Sequence, residues 1–281
     1  MKKSKGIVYI SDTHTFLPVE KACIPVTDTG FQRGVGIFEV LITYKAKPMG
    51  LDEHLSRLQK SVKAIGFKPF YASNHIKQKV LEGIKRFGEP RMMIRIVITG
   101  GDSNNFMFKT DPRLVILFMP LKEYPSFYFD KGIKLLTSKL SRILPEIKSL
   151  NYLSGSMAYH AALNHRCHEG LYVDKNNNIL EGTTFNFGII KDKTVVVPEK
   201  NVLDGITIRF VIHLAKKLGL KVERRPIALV ELQYVDEAFL TSSNREIMPI
   251  VKVDKTQIGD GKPGAYTMKL LEMYRDQAEA L

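Results

Sequence analysis

The chain has 281 residues, of which 44% are hydrophobic and 25% are charged, proportions that are typical of a folded globular protein. Its formal net charge of +13 suggests a nucleic-acid surface, but the basic residues are spread along the chain without a long tract of like charges. We therefore expect a lysine-rich solvated surface and no nucleic-acid partner. Two cysteines are too few for a disulfide framework, and no apolar run is long enough for a membrane helix, so we expect a cytoplasmic protein without membrane contact.

In chain order, residues 1–120 predict a small α+β domain. Runs rich in β-branched and aromatic residues predict strands over 7–10, 36–44, 91–99 and 113–119. Apolar residues at helical spacing predict helices over 52–65 and 74–87. Residues 121–131 lack clear periodicity and contain Pro125, which predicts an interdomain linker.

Residues 132–281 predict a larger domain that carries Lys148. Strands are predicted over 133–138, 171–173, 185–190, 194–197, 221–224 and 237–241, the last two as a pair. Helices are predicted over 150–168, 207–218 and 266–280. The predicted fold class is therefore α/β, with an α+β small domain and an α/β large domain.

Lys148 is the first candidate for chemistry. It has the apolar neighbours Ile147 and Leu150, and it precedes a predicted helix. A lysine whose ammonium is desolvated has a lowered pKa and can bond covalently to a carbonyl carbon. The alternative is a surface lysine, since the chain has 42 lysines and arginines.

A second candidate is the predicted helix start at residues 205–207 (Gly-Ile-Thr). Exposed backbone N–H groups and the helix dipole make such a start an anion site, and the Thr207 hydroxyl adds a donor. The alternative is an ordinary helix cap.

Arg57 and Glu181 are the remaining candidate site residues that residue type and sequence position indicate. Arg57 is either a bidentate phosphate clamp or the partner of Glu53 on a solvated helix face. Glu181 precedes Gly182 in a predicted turn, where it is either an exposed acid or a carboxylate that keeps a pyridine nitrogen protonated.

Six stretches occur in a fixed order along the chain. They are residues 34–39 (Gly-Val-Gly-Ile-Phe-Glu), 53–58 (Glu-His-Leu-Ser-Arg-Leu), 147–152 (Ile-Lys-Ser-Leu-Asn-Tyr), 180–187 (Leu-Glu-Gly-Thr-Thr-Phe-Asn-Phe), 203–207 (Leu-Asp-Gly-Ile-Thr) and 239–249 (Phe-Leu-Thr-Ser-Ser-Asn-Arg-Glu-Ile-Met-Pro). Together they resemble the class IV, fold type IV, pyridoxal-phosphate aminotransferases, over about residues 24–274. That group holds branched-chain aminotransferases, D-amino-acid aminotransferases and aminodeoxychorismate lyases.

The resemblance implies pyridoxal 5'-phosphate as cofactor, bonded to Lys148, which then moves the substrate proton. It implies that Glu181 partners the pyridine nitrogen and that Tyr152 faces the phenolic oxygen. The implied phosphate site consists of Arg57, Thr207, the N–H groups of Ile206 and Thr207, and Ser243, which is alternatively a substrate residue. The implied fold is two domains with the cofactor between them, in a homodimer whose partner loops complete each site.

Two arginines bear on the choice of substrate. Arg33 lies where relatives usually have an uncharged residue, and Arg95 matches an arginine that branched-chain enzymes use for a side-chain carboxylate. The Arg-x-His carboxylate motif of the common bacterial D-amino-acid enzymes is absent from residues 100–105. We interpret Arg33 and Arg95 as a replacement clamp for the α-carboxylate, with Asn244 as a further substrate residue.

This clamp most resembles D-amino-acid aminotransferases that use an arginine pair, and it predicts transfer from D-alanine or D-glutamate to pyruvate or 2-oxoglutarate. Otherwise Arg33 is a loop surface residue and Arg95 an interstrand ion pair. The nearest alternative enzyme is an L-branched-chain aminotransferase. The resemblance to aminodeoxychorismate lyase is weaker, because those enzymes tend to carry Thr-Thr where this chain has Glu39 and Val40. A basic binding protein without a cofactor is the non-enzyme alternative, and no metal site is expected in any of these.

Overall fold

The computed structural model describes residues 6–67, 71–103 and 111–281. Backbone contacts divide the chain into two units. The first comprises Met1–Lys122, Ile147–Asn151 and Leu281, and the second comprises Glu123–Glu146 and Tyr152–Ala280. Throughout the described ranges, no helix combines the length and the apolar character needed to cross a membrane.

The first unit contains a six-stranded antiparallel sheet with the order β2-β1-β6-β5-β3-β4. Its strands are β1 (Ile7–Ile10), β2 (Thr15–Pro18), β3 (Gly36–Tyr44), β4 (Lys47–Pro48), β5 (Met92–Thr99) and β6 (Arg113–Pro120). Its helices are α1 (Thr29–Arg33), α2 (Leu51–Ala64) and α3 (Ser73–Phe87), with a 3-10 turn at Val19–Lys21.

Helices α2 and α3 bury one apolar stripe each, as their periodicity predicts. Leu51, Leu55, Leu58 and Val62 recur on one face of α2 and are all buried. They pack with Ile37 and other side chains from the same face of the sheet into one core cluster. The helices therefore cover one face of the sheet, and this fixes which β3 side chains point toward α2.

The segment that carries Lys148 pairs with the first unit. The Phe38 N–H donates to the Lys148 carbonyl at 2.9 Å, and the Leu150 N–H donates to the Gly36 carbonyl at 2.9 Å. The sequence prediction placed this lysine in the second domain and began a helix at residue 150. Its backbone is instead extended beside β3, so the helix begins only at Leu153.

The second unit contains a ten-stranded mixed sheet with the order β12-β11-β10-β14-β15-β7-β8-β9-β13, and β16 pairs with β15. Its strands are β7 (Ile133–Ser138), β8 (Glu169–Val173), β9 (Asn178–Gly182), β10 (Asn186–Lys191), β11 (Thr194–Val197), β12 (Lys221–Arg224), β13 (Ile227–Ala228), β14 (Glu237–Ser242), β15 (Glu246–Val253) and β16 (Thr256–Gln257). Its helices are α4 (Phe127–Asp130), α5 (Leu153–Asn164), α6 (Ile206–Lys217) and α7 (Ala265–Glu279), with a 3-10 turn at Leu229–Tyr234. Helix α5 packs on β7 and β8, while α6 and α7 pack on β14.

Two predictions for this unit were wrong. Glu181 lies inside β9 and not in a turn, because residues 178–182 pair with both β8 and β13. The predicted strands 221–224 and 237–241 do not pair with each other: β12 pairs with β11, and β14 lies between β10 and β15. Helix α4 lies within the predicted linker, where the buried Phe129 anchors it.

Candidate active site

The amine of Lys148 lies beside an aromatic ring of β3. Its Nζ atom is 4.8 Å from the centroid of the Phe38 ring. The preceding residue, Ile147, is buried in the core of the first unit, and the backbone hydrogen bonds to Phe38 and Gly36 fix the chain on either side. The lysine therefore projects from a short segment whose backbone is hydrogen-bonded to β3.

Arg95 approaches the same ring from β5. Its Cζ atom is 4.6 Å from the Phe38 ring centroid. Phe38 and Arg95 belong to the same face of the sheet, since Phe38 pairs with Val97 and Val40 pairs with Arg95. A guanidinium and an amine thus flank one ring, an arrangement that suits a ligand carrying a carboxylate.

Glu39 projects to the opposite face of β3, toward α2. Arg57 donates to its carboxylate from Nε at 2.8 Å and from Nη2 at 2.6 Å, and His54 Nδ1 lies 2.8 Å from Oε2. Arg57 therefore contacts Glu39 and not Glu53, the alternative partner from its helix spacing, which is exposed. Neither Glu39 nor His54 was predicted as a site residue, because their contact depends on how α2 packs on β3 and not on a local sequence pattern.

The electrostatics of this group follow from burial and from its hydrogen bonds. Burial acts to raise the pKa of Glu39, but the hydrogen bonds and charges of Arg57 and His54 outweigh it and lower that pKa to about 2. Burial lowers the pKa of His54, against the opposing effect of Glu39. The group therefore holds a charged Glu39–Arg57 pair and a neutral imidazole at neutral pH.

In the second unit, Glu181 is buried and accepts hydrogen bonds from Arg142, Leu203 and Asn186. Arg142 donates from Nη1 at 3.0 Å, the Leu203 N–H donates at 3.1 Å, and the Asn186 amide donates at 3.3 Å. Arg142 was not predicted, although its side chain is 6% exposed. Its sequence signal, an arginine in an apolar loop, does not distinguish it from surface arginines.

The start of α6 is tied to this carboxylate. The Asn186 amide also donates to the Leu203 carbonyl at 2.7 Å, two residues before Gly205 caps the helix. A Cβ atom at Gly205 would lie 1.8 Å from Asn186 Oδ1, so this approach requires glycine. Thr207 is buried in the first turn, and Ile206 is the first helical residue. The result is a helix start that can bind an anion, joined by one asparagine to a buried carboxylate.

The remaining predicted residues have the following positions. Tyr152 caps α5, and the Arg142 guanidinium carbon lies 5.9 Å from its ring centroid. Ser243 and Asn244 are in the turn between β14 and β15, where the Ser242 hydroxyl donates to Asn244 Oδ1 at 3.1 Å. Arg33 ends α1, is exposed, and donates to the Gln32 carbonyl at 3.1 Å.

The first unit thus brings Lys148 and Arg95 together at Phe38, and the second brings Glu181, Tyr152 and the α6 start together around Arg142 and Asn186. An amine near an aromatic ring, a buried carboxylate with fixed donors and an anion-binding helix start are the groups that a pyridoxal-phosphate enzyme needs. In chemical terms, an amine can bond to the cofactor's aldehyde, a carboxylate can pair with its pyridine nitrogen, and a helix start can bind its phosphate.

Comparison with known proteins agrees with this class. Residues 36–253 match the family model described as amino-transferase class IV. A putative branched-chain-amino-acid aminotransferase of Methanocaldococcus jannaschii is 30% identical over 271 residues, 93% of each chain. A D-alanine aminotransferase of Listeria monocytogenes is 28% identical over 266 residues, 92% of each chain.

The fold comparison gives the same assignment. The crystal structure of a T.th. branched-chain amino acid aminotransferase with pyridoxamine 5'-phosphate superposes with a TM-score of 0.92, at 25% identity, over 100% of this chain and 96% of that one. The chain belongs to the class IV aminotransferase family. The predicted family, the mixed α/β fold of type IV and the pyridoxal-phosphate cofactor are thereby confirmed.

Proposed function

We propose that the protein transfers the amino group of a D-amino acid, of the D-alanine or D-glutamate type, to a 2-oxo acid such as pyruvate or 2-oxoglutarate. The observation that supports a carboxylate-bearing substrate most directly is the surroundings of Phe38. The Lys148 amine and the Arg95 guanidinium lie 4.8 and 4.6 Å from the centroid of that ring. The α-carbon of an amino acid is bonded to its carboxylate, so the groups that act on them must lie in the same neighbourhood, as these two do around Phe38.

In this proposal, Lys148 holds the cofactor and then carries the proton of the substrate α-carbon. Bound pyridoxal phosphate supplies an electron sink for the electron pair left at that carbon. Glu181 keeps the pyridine nitrogen protonated, and Arg142 and the Leu203 N–H hold its carboxylate in place. Tyr152 faces the phenolic oxygen.

The proposed phosphate site takes its groups from three segments of the chain. The N–H groups of Ile206 and Thr207, with the Thr207 hydroxyl, bind the phosphate at the start of α6. Arg57 adds a guanidinium that Glu39 orients through two hydrogen bonds. Ser243 adds a hydroxyl from the turn between β14 and β15.

The preference for the D-enantiomer depends on Arg33. Arg95 serves either enantiomer, because branched-chain enzymes also use an arginine there. Arg33, exposed at the end of α1, supplies the second guanidinium of the carboxylate clamp from the neighbouring protomer, and Asn244 contacts the substrate from its turn.

An L-branched-chain aminotransferase is the second candidate. The relative from Methanocaldococcus jannaschii is named a putative branched-chain-amino-acid aminotransferase, and the solved T.th. enzyme is named a branched-chain amino acid aminotransferase. In that function Arg95 binds the side-chain carboxylate of glutamate, and Arg33 has no part in the reaction.

The half-reaction separates the two candidates. The purified holoenzyme is mixed in turn with D-alanine, D-glutamate, L-leucine and L-glutamate, and the absorbance of the bound cofactor is followed. D-glutamate and D-alanine should convert the aldehyde form of the cofactor to its amine form. Conversion by L-leucine alone would contradict the D-specific proposal and support the second candidate. Arg33→Ala should raise the KM for the D-amino acid, with Lys21→Ala as a matched surface control.

We also propose a homodimer. Leu153 and Met157 lie one turn apart on α5 and are 71% and 54% exposed, and the nearby loop exposes Ile143 and Leu144. Apolar side chains grouped in this way are typical of a surface that another chain covers. Sedimentation velocity should give twice the chain mass, and Met157→Glu should give a monomer; a monomeric wild type would contradict the proposal.

A further inference from the structure

Glu169, the first residue of β8, joins three segments of the second unit. Its side chain is 3% exposed. Oε1 accepts hydrogen bonds from the Thr183 hydroxyl at 2.5 Å and from the Gly170 N–H at 3.0 Å. Oε2 accepts from Arg245 Nη2 at 2.9 Å and from the Thr184 hydroxyl at 3.3 Å. The carboxylate therefore uses both oxygens to hold elements that are distant in sequence.

Arg245 is the ion-pair partner of Glu169. It is the last residue of the turn between β14 and β15, and its side chain is 13% exposed. Besides Glu169, its Nε donates to the Tyr124 hydroxyl at 2.9 Å, and its guanidinium carbon lies 5.8 Å from the centroid of the Phe185 ring. Burial acts to lower the pKa of Arg245, but the charges and hydrogen bonds of Glu169 and Tyr124 together outweigh it and raise that pKa. The pair is thus buried and held in one geometry by hydrogen bonds on both sides.

The two segments that this pair connects both adjoin proposed site residues. Thr183 and Thr184 follow shortly after Glu181, and Arg245 follows Ser243 and Asn244 directly. The end of β14 that leads into the turn is also beside Asn186, which pairs with Thr241. Asn186 in turn holds the loop before α6 through the Leu203 carbonyl. The turn therefore adjoins the part of the unit to which the proposed function assigns the phosphate.

We propose that Glu169 and Arg245 are positioning residues that fix the turn with Ser243 and Asn244 on the phosphate side of the cofactor. This inference rests on the proposed function, since it takes the phosphate role of Ser243 from there. Neither residue touches the cofactor. Each acts by restricting the backbone of the turn, so that its polar groups are already oriented before the phosphate arrives.

The test compares a phosphorylated probe with an unphosphorylated one. Arg245→Met removes the charged partner at similar side-chain length, and the dissociation constants of pyridoxal phosphate and of pyridoxal are measured by absorbance titration of the cofactor-free protein. The constant for pyridoxal phosphate should rise about tenfold, while that for pyridoxal should change by less than about twofold. Arg245→Lys, which keeps the charge but reaches fewer partners, should give an intermediate increase.

Arg225→Met is the matched control. It breaks another arginine–glutamate pair of the same unit, with Glu231 at 2.9 Å, that is about one-third exposed and adjoins no proposed site residue. It should leave both constants unchanged. An equal loss of affinity for the two probes, or no loss for either, would overturn the positioning role. If circular dichroism shows that Arg245→Met does not fold, Arg245→Lys replaces it. The change in its dissociation constant for pyridoxal phosphate is then compared with the change for pyridoxal. A wild-type protein that binds neither probe would overturn the proposed function and this inference with it.

Discussion

At the scale of single residues, Glu39 stands out, because it is a fully buried carboxylate whose partners are Arg57 and His54. Its folded-state pKa of about 2 lies below the unfolded value of 4.5. A lowered carboxyl pKa contributes stability that is present above the unfolded pKa and is lost as the pH falls toward the folded one. Glu39 therefore makes the fold more stable at neutral pH than at acidic pH.

We expect Glu39→Gln to reduce this acid dependence. The wild type should lose about 2 kcal/mol of unfolding free energy through this group between about pH 7 and about pH 3, and the variant should lack that part of the decline. Urea denaturation at the two pH values measures the difference. Glu53→Gln, on the exposed face of α2, is the control and should behave like wild type. Equal pH dependence in all three proteins would contradict the prediction.

Arg142 gives a second prediction at this scale. It forms a buried ion pair with Glu181, so Arg142→Met removes a charged donor from a buried carboxylate and should lower the unfolding free energy by about 3 kcal/mol. Adding Glu181→Gln removes the carboxylate charge and should restore much of that loss, as measured by urea denaturation of the cofactor-free protein. A double variant no more stable than Arg142→Met would show that the pair is not a charge pair of this kind.

At the scale of elements, the loop before α6 depends on one close approach. Gly205→Ala places a Cβ on the Asn186 side chain, although the φ of −70° at this position suits any residue. Displacing Asn186 breaks its hydrogen bond to the Leu203 carbonyl, so we expect a loss of about 1–3 kcal/mol in stability and weaker binding of pyridoxal phosphate.

A second substitution tests whether the clash with Asn186 causes the loss of stability in Gly205→Ala. In an Asn186→Ala background the clash is absent, and Gly205→Ala should then cost little stability. Thermal unfolding of the four proteins gives the coupling between the two positions. Additive losses would show that the glycine is needed for another reason.

Elements with a local pattern were predicted well from the sequence. Strand β3 and helices α2 and α3 agree with the prediction to within a residue at each end, because their alternation or helical spacing is carried by consecutive residues. β9 and the segment around Lys148 were not predicted, because each pairs with a strand that is distant in sequence, β9 with β13 and the Lys148 segment with β3. The same difference applies to the site. Ordered motifs identified Lys148 and Glu181 as candidates, but their partners Phe38 and Arg142 follow from tertiary contacts alone.

At the scale of the whole molecule, the net charge affects the association rate of the cofactor. The chain carries 42 basic and 29 acidic residues, a formal excess of +13, and its cofactor is an anion because of the phosphate. A positive field raises the rate at which an anion reaches its site, and dissolved salt screens that field over about 10 Å at about 0.1 M. The excess of lysine and arginine first suggested a nucleic-acid surface. It should instead increase the rate at which this small anionic cofactor binds.

We therefore expect the association rate constant of pyridoxal phosphate with the cofactor-free protein to fall several-fold between about 0.02 M and about 0.2 M salt. Pyridoxal lacks the phosphate, so its association rate should change little over the same range. Stopped-flow absorbance measures both rates, and far-ultraviolet circular dichroism at each salt concentration checks that the fold is unchanged. The same salt dependence for the two probes would mean that the net charge does not steer the cofactor, because the phosphate is the group on which the field should act.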